Sequence, residues 1–418
     1  MKSAFKFTTA AVIAMLSASA ALASAVHVLR PEVPANEKAY YKDVIAAFEK
    51  IHPGVDVSFE YLSNEAYKQK LTTLLQSSQK PDIIFSWAGG VLRQQAEAGV
   101  LADITAAEKG AWANTFSPTS VDAFTIDGKL FGVPMGASEV VFWANKDLAA
   151  KAGIDLGSIK TWDDFLAAVK KAKAAGITPI AVGGKDKWPL HFYYGYLMTR
   201  EAGAQGFADA IAGKGAGFSA PAFVKAGEDF KALVDLKPFQ TGYMDTTFEQ
   251  ATGMFGDGKA LFHFMGDWDY GTSKQNSATG KGIADDELTT IRFPAIAGGA
   301  GNATDTFGGI VGWAVTKGAS ADATEFLKFL TTLENQKKGG AVGAFIPVAK
   351  GAETDIGNPF FKNMSAALVA SGFHQLFLDQ ALGSDVGAVM NDVSADLAQG
   401  AVTPKQAADT LQKAWEQR

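Results

Sequence analysis

The chain has no cysteine, which excludes disulfides, thiolate metal sites and a cysteine nucleophile together. It has no basic excess either. A formal net charge of −6 argues against a nucleic-acid binder, which carries a basic stripe. The five histidines, His27, His52, His191, His263 and His374, are scattered and show neither H-x-x-H nor H-E-x-x-H zinc spacing. There is no G-x-S-x-G nucleophile elbow and no Walker A Gly-Lys-Ser/Thr. No motif therefore asks for a metal or a cofactor. There is no extended low-complexity run and no internal repeat.

What is present is a globular composition, 47% hydrophobic and 20% charged, over 418 residues. That length is too great for one ordinary core and predicts two domains. With 29 Phe, 9 Tyr and 8 Trp, the aromatic supply is generous enough that some rings are expected outside the core.

Residues 1–25 read as a secretory signal peptide. Lys2 and Lys6 form a positive start, Ala10–Leu16 is apolar, and Ala21-Leu22-Ala23 or Ala23-Ser24-Ala25 offers small-residue cleavage. Ser and Thr interrupt the segment too often for a span of roughly 20 apolar residues. With no Cys at the cleavage site a lipid anchor is excluded, so a periplasmic protein without a stable membrane anchor is expected.

Val26–Leu29 opens the mature chain as a strand, with Arg30–Pro34 as its loop. Tyr40, Tyr41, Val44, Ile45 and Phe48 then recur with helical period, and His52-Pro53-Gly54 stops them. Val55–Phe59 alternates as a strand, Leu71–Leu75 lies on a helix, and Pro81 starts the strand Asp82–Phe85. This β-α-β-α-β order implies a parallel sheet flanked by helices. Ligands of such sheets sit beyond the carboxyl ends of the strands, here Arg30–Pro34, Leu62–Asn64 and Ser86–Gly90. Pro134 has no N–H to give a sheet, so the chain is expected to break at Met135-Gly136 and to enter a second lobe at Val140. Thr161 and Asp164 make a capping box for the helix carrying Phe165, Val169 and Ala172. The loop Gly183–Pro189 and the loop Met265–Tyr270 each follow a strand. Further crossings are expected at Ile291–Pro294 and at Gly343–Val348. The resulting division puts residues 26–134 and 299–342 in one lobe and 139–292 and 348–418 in the other. Hinges are expected near 135–138, 293–298 and 343–347. Short, partly apolar crossings suit a hinge that bends through a few backbone angles.

The sequence Gly132-Val133-Pro134 … Asn145-Lys146-Asp147-Leu148 … Ala152-Gly153-Ile154 … Thr161-Trp162-Asp163-Asp164-Phe165 resembles the periplasmic solute-binding proteins of ABC importers, family 1, in their maltose-binding-protein-like sugar branch. The resemblance covers nearly the whole mature chain. It implies an α/β, two-lobe type II periplasmic binding protein fold, each lobe a mostly parallel sheet flanked by helices, joined by a three-segment hinge. It also implies that a tryptophan such as Trp87 stacks on a sugar ring, whose C–H face is apolar. Trp188, in Lys-Trp-Pro, and Trp268, in a Gly-x-Trp loop, match further ligand-contacting positions of the family. The family's acidic residue behind the first-lobe Trp is replaced here by Gly89 and Gly90.

Polar partners for the hydroxyls are sought beside these rings. Asp186, Asp267 and Asp269 qualify, since a carboxylate accepts bonds from two adjacent hydroxyls. Arg30, Glu32, Asn64, Ser86 and Gly89 lie on the strand-end loops, and Ser138 and Glu139 at the first crossing, where the family often places a carboxylate. Lys185, Gly308, Gly309 and Phe345 complete the candidate set. Any of these polar residues is also simply a solvated or turn residue in the bland reading.

The expected function is capture of a carbohydrate, an oligosaccharide or glycoside, by a monomer that closes on it and delivers it to the permease of an ABC importer. No catalysis and no nucleic-acid partner are expected. Two alternatives stay open. Asp267 and Asp269, two residues apart, allow a secreted glycosidase or lyase, if their carboxyls flank one bond. A binder of a non-sugar solute with the same fold is the other; Arg30 and the lysines leave room for an anion.

Overall fold

The computed structural model describes residues 24–107, 110 and 112–418; the expected signal segment up to residue 23 lies outside the described residues. The strands in chain order are β1 (Ser24–Pro31), β2 (Val55–Leu62), β3 (Ile83–Ser86), β4 (Thr125–Ile126), β5 (Lys129–Leu130), β6 (Gly132–Glu139) and β7 (Val141–Asn145). They continue with β8 (Ile180–Ala181), β9 (Phe262–Met265), β10 (Leu288–Ile291), β11 (Thr306–Val315), β12 (Ile346–Pro347) and β13 (His374–Leu376). One sheet has the order β12-β6-β11-β3-β1-β2, with β13 also paired to β11; a second has the order β10-β7-β9-β8; β4 and β5 form a hairpin.

The expected helices form for the expected reasons. Tyr40, Tyr41, Val44 and Phe48 are the buried stripe of the helix Ala35–Ile51. Thr161 and Asp164 make the reciprocal capping box of Trp162–Ala174. Each lobe has its own core. Leu29, Phe48, Ile84 and Trp313 belong to the first, and Phe142, Phe165, Phe262 and Phe264 to the second. Stacked rings fill the second core, with Phe142 at 4.2 Å from Phe165 and 4.3 Å from Phe264. Most of the aromatic surplus is packed there.

The two lobes and the three passes between them agree with expectation, but the pairing differs in detail. β1, β2 and β3 run parallel to one another. β11 returns from the opposite end and pairs antiparallel with both β3 and β6, and β12 pairs antiparallel with β6. In the second sheet only β8 and β9 are parallel.

The expected break at Met135-Gly136 does not occur. β6 runs unbroken through Pro134, because its register against β11 shifts there: Val311 faces Gly136 and Gly312 faces Pro134, leaving Met135 as the extra residue of a bulge. A bulge is one of the few places where a sheet tolerates proline. The Met135 carbonyl accepts a hydrogen bond from Gln336 Nε2 at 2.9 Å. Only Val140 separates β6 from β7, so the first crossing lies at Glu139–Val141 rather than at 135–138.

The second crossing is also displaced. Residues 293–305 pack on the second lobe, where the buried Arg200 donates to the carbonyls of Phe293, Pro294, Ala303 and Asp305 at 2.8–3.2 Å. The pass is therefore made by β11 itself, not by 293–298. At the third pass the two cores interleave: Phe345, Ala349 and Ala352 are buried in the first while Ile346, Ile356 and Phe361 are buried in the second, so the pass begins within 343–347 and extends to about residue 356.

Arg200→Met is expected to destabilise the protein by at least about 3 kcal/mol, since it removes the charged donor from the carbonyls of buried Phe293, Pro294 and Asp305 and from that of Ala303. Urea unfolding measures this; a loss under about 1 kcal/mol would show that the 293–305 loop is held by other contacts.

Candidate ligand-binding cleft

One cavity lies where the strand-end loops of the two lobes face each other. From the first lobe it receives Arg30, Glu32, Asn64 and Trp87, at the carboxyl ends of β1, β2 and β3. From the second come Trp188, Asp267 and Trp268, and the crossing strands supply Ser138 beside Phe345. These nine expected residues are brought together around one space of about 160 Å³.

The three indoles reach it by distinct routes. Trp87 packs edge-on against Tyr67 at 5.6 Å and Phe85 at 5.1 Å, so it has more local support than its Ala-Gly-Gly neighbours suggest. Trp188 rests on Phe192 and Phe248, and Trp268 on Phe192 and Phe377. Ala88 and Lys187, the residues flanking Trp87 and Trp188, have φ of 59° and 61°. Positive φ is strained for a residue with a Cβ, and such strain gathers where side-chain placement is over-determined by its surroundings.

The polar atoms divide into paired and unpaired. Arg30 is buried; its Nη1 donates to Glu37 Oε1 at 2.7 Å and its Nε to the Pro31 carbonyl at 3.1 Å. Its guanidinium lies 4.9 Å from the Tyr41 ring and 5.2 Å from that of Phe85. Glu32 pairs with Lys38. Two buried atoms of the lining have no partner among the described residues: the indole Nε1 of Trp188, a donor, and Oδ1 of Asp267, an acceptor. Burial pushes the Asp267 carboxyl up to about 7, against the opposing hydrogen bond of Ser138.

Other expected residues are elsewhere. Asp269 is buried away from the cavity, its Oδ2 2.7 Å from His263 Nδ1, so Asp267 and Asp269 do not flank a common space. Asp186 accepts from the Phe248 N–H at 2.6 Å and caps that helix. Lys185 is exposed at the surface. Ser86 accepts from the Ala88 N–H at 3.1 Å. Glu139 is fully buried at the first crossing, 3.4 Å from Arg292 Nε, and burial raises it to about 7 although Arg292 opposes this. Gly308 and Gly309 pack behind two lining residues: a Cβ on Gly308 would overlap the Ser138 carbonyl, and one on Gly309 would lie 2.6 Å from the Phe377 ring. Gly89 abuts Ala381 of the other lobe, where a Cβ would meet the Ala381 Cα at 3.0 Å.

Sequence reasoning missed Lys68, Asp379, Glu37, Phe192 and Phe377, all of which line the cavity. Lys68 had a signal: it follows Asn64 by four residues on one helix and so shares its face. Phe377 and Asp379 had none, because the pairing of β13 with β11 brings them in from far along the chain.

Because Asp267 titrates near 7 when folded and near 3.9 when unfolded, the folded protein holds a proton that the unfolded chain has lost between about pH 4 and 7. Stability is therefore expected to fall as pH rises through that window and to level off above it. Glu139 acts with the same sign. Melting temperatures from pH 4 to 8 check this: Asp267→Asn should flatten part of the slope and Glu139→Gln part of the remainder. A slope unchanged in both variants would contradict the assignment.

Comparison with known proteins agrees with this geometry. Residues 34–337 match the family described as bacterial extracellular solute-binding protein. An uncharacterised ABC transporter extracellular-binding protein of Pyrococcus horikoshii is 26% identical over 388 residues, 90% of this chain and 84% of that protein. The multiple sugar-binding protein of Streptococcus mutans is 24% identical over 332 residues, 77% of this chain and 74% of that protein. A structure from work on xylan utilization by the thermophilic bacterium Caldanaerobius polysaccharolyticus superposes with a TM-score of 0.85 at 26% identity, covering 93% of this chain and 99% of that one. A two-lobe fold with its cavity between the lobes and a match across residues 34–337 have one reading: the chain belongs to the bacterial extracellular solute-binding protein family.

Proposed function

We propose that the protein captures a carbohydrate between its lobes in the periplasm, as a monomer, and hands it to the permease of an ABC importer when the hinge closes. One observation carries this reading. Trp87 from one lobe and Trp188 and Trp268 from the other line a single cavity that also holds one unpaired donor and one unpaired acceptor. Apolar ring faces with hydrogen-bonding groups between them suit a sugar, which presents C–H faces and a hydroxyl rim. The sugar-binding name of the Streptococcus mutans relative and the xylan context of the Caldanaerobius structure support the same class.

The enzymatic alternative lacks support, since a glycosidase needs two carboxyls across one bond and Asp269 is held by His263 behind the cavity wall. An anionic solute is disfavoured because the cavity's cations, Arg30 and Lys68, are already paired with Glu37 and Asp379.

Titration of intrinsic tryptophan fluorescence with a panel of neutral sugars tests the reading. A saturable change with a rise in melting temperature is expected for at least one sugar. No response to any sugar would overturn it.

The closing motion has its own test. A Cβ on Gly90 would lie 2.6 Å from the Ala381 carbonyl oxygen and the Gly383 nitrogen, backbone atoms of the opposite lobe. Gly90→Ala should therefore raise the ligand Kd by about tenfold or more while changing unliganded stability by no more than about 0.5 kcal/mol. An unchanged Kd would mean that binding does not need this closed contact.

A further inference from the structure

The lobes touch at several places around the cavity, and these contacts bound what fits inside. A Cβ on Gly271 of the second lobe would lie 2.5 Å from Pro34 Cγ of the first. Gly90 abuts Ala381 and Gly383, and Gln94 Oε1 accepts from the Ser384 N–H at 2.8 Å. Between them, Lys68 Nζ donates to Asp379 Oδ2 at 3.1 Å. Lys68 stands on the first-lobe helix Asn64–Leu75 and Asp379 on the second-lobe helix Leu378–Ala381, so this ion pair crosses the cleft. Its ammonium lies 5.6 Å from the Trp87 ring and 5.8 Å from the Trp188 ring, between the two indoles.

We infer that the closed cleft takes a single neutral sugar ring, and that the Lys68–Asp379 pair sets this limit by filling the space a second ring would need. This rests on the carbohydrate reading above and narrows it from the oligosaccharide expected from sequence. The space of about 160 Å³ between the lobes is of the order of the ~150 Å³ that holds one small six-membered ring, and the lobe contacts around it leave little room for a second. Charge points to neutrality. Arg30 is committed to Glu37 and Lys68 to Asp379, both with little exposure on the acidic side. A ligand carboxylate would face Asp267 with no unpaired cation among the described lining residues. Breaking a buried pair to supply one strands its partner's charge, which is strongly unfavourable.

Calorimetric titration decides the matter, using a panel of neutral monosaccharides, their homologous di- and trisaccharides and glucuronate, with wild type, Lys68→Ala and Asp379→Asn. In wild type the best monosaccharide should bind at least about tenfold tighter than its disaccharide and than glucuronate. Both variants, checked for an unchanged fold by circular dichroism, should shift the disaccharide-to-monosaccharide Kd ratio by about tenfold toward the longer ligand. If no sugar binds wild type, the carbohydrate reading itself fails. A disaccharide, trisaccharide or glucuronate that binds wild type as tightly as any neutral monosaccharide overturns the single-ring inference while leaving the carbohydrate reading standing. An unchanged ratio in folded Lys68→Ala and Asp379→Asn removes the ion pair's role.

Discussion

The pairing of β6 with β11 is the constraint on which the rest depends. These two strands carry separate passes between the lobes, yet they hydrogen-bond to each other from Gly132 against Ala314 to Glu139 against Gly308. A two-stranded ribbon resists shear and permits bending, so relative motion of the lobes is channelled into one hinge-like mode. β12 joins the same sheet where the third pass begins, through Ile346 and Pro347. Gln336 ties it in, giving one amide to the bulged Met135 carbonyl while its oxygen accepts from the Val348 and Ala349 N–H groups. The close packing of Gly308 on Ser138 and Gly309 on Phe377 sets this ribbon behind two residues that line the cleft. The hinge and the binding surface are thus one piece of backbone.

That identity explains which groups of the cleft are left unsatisfied. Asp267 sits above the ribbon beside Ser138 and is desolvated when the lobes close, with Oδ1 unpaired. An isolated buried carboxylate is costly, whereas one that accepts hydroxyl hydrogens is not. Trp188 Nε1 presents the complementary case, a buried donor without an acceptor. Closure without a guest therefore carries a penalty that closure on a hydroxylated guest removes. The ligand's preference for the closed state comes from these orphan atoms as well as from contact with the indoles.

Much of this was legible in the sequence, for identifiable reasons. Strong periodicity marked the helix at Tyr40–Phe48, and the Thr161–Asp164 box marked a helix start, because both are local signals. The rule that ligands sit at the carboxyl ends of parallel strands located Arg30, Asn64 and Trp87 without any tertiary information. The first crossing was misplaced because proline was weighed by its missing N–H alone, and a register shift in the partner strand cannot be seen along one strand. The second crossing was misplaced for a similar reason: Arg200, which binds residues 293–305 to the second lobe, lies almost a hundred residues earlier. Asp269 looked like a ligand group by adjacency to Trp268. It turns inward because the helix that begins there points its side chain at His263. Successive residues at a helix start diverge by about 100°, so the Trp268 indole can face the cleft while Asp269 turns away to His263.

The charges of the cleft follow one logic. Arg30 and Glu37 neutralise each other within the first lobe and buttress its aromatic wall, since the guanidinium lies over Tyr41, Phe85 and Trp313. Lys68 and Asp379 neutralise each other only across the cleft. The first pair is present whatever the lobes do and contributes no preference for closure. The second spans the two lobes, and two desolvated charges offset much of their own attraction, so it selects geometry more than it supplies affinity. With the first pair holding one wall rigid and the second meeting it across the cleft, the guest that fills the space between Trp87, Trp188 and Trp268 adds its contacts to those the lobes already make, such as Ser384 with Gln94.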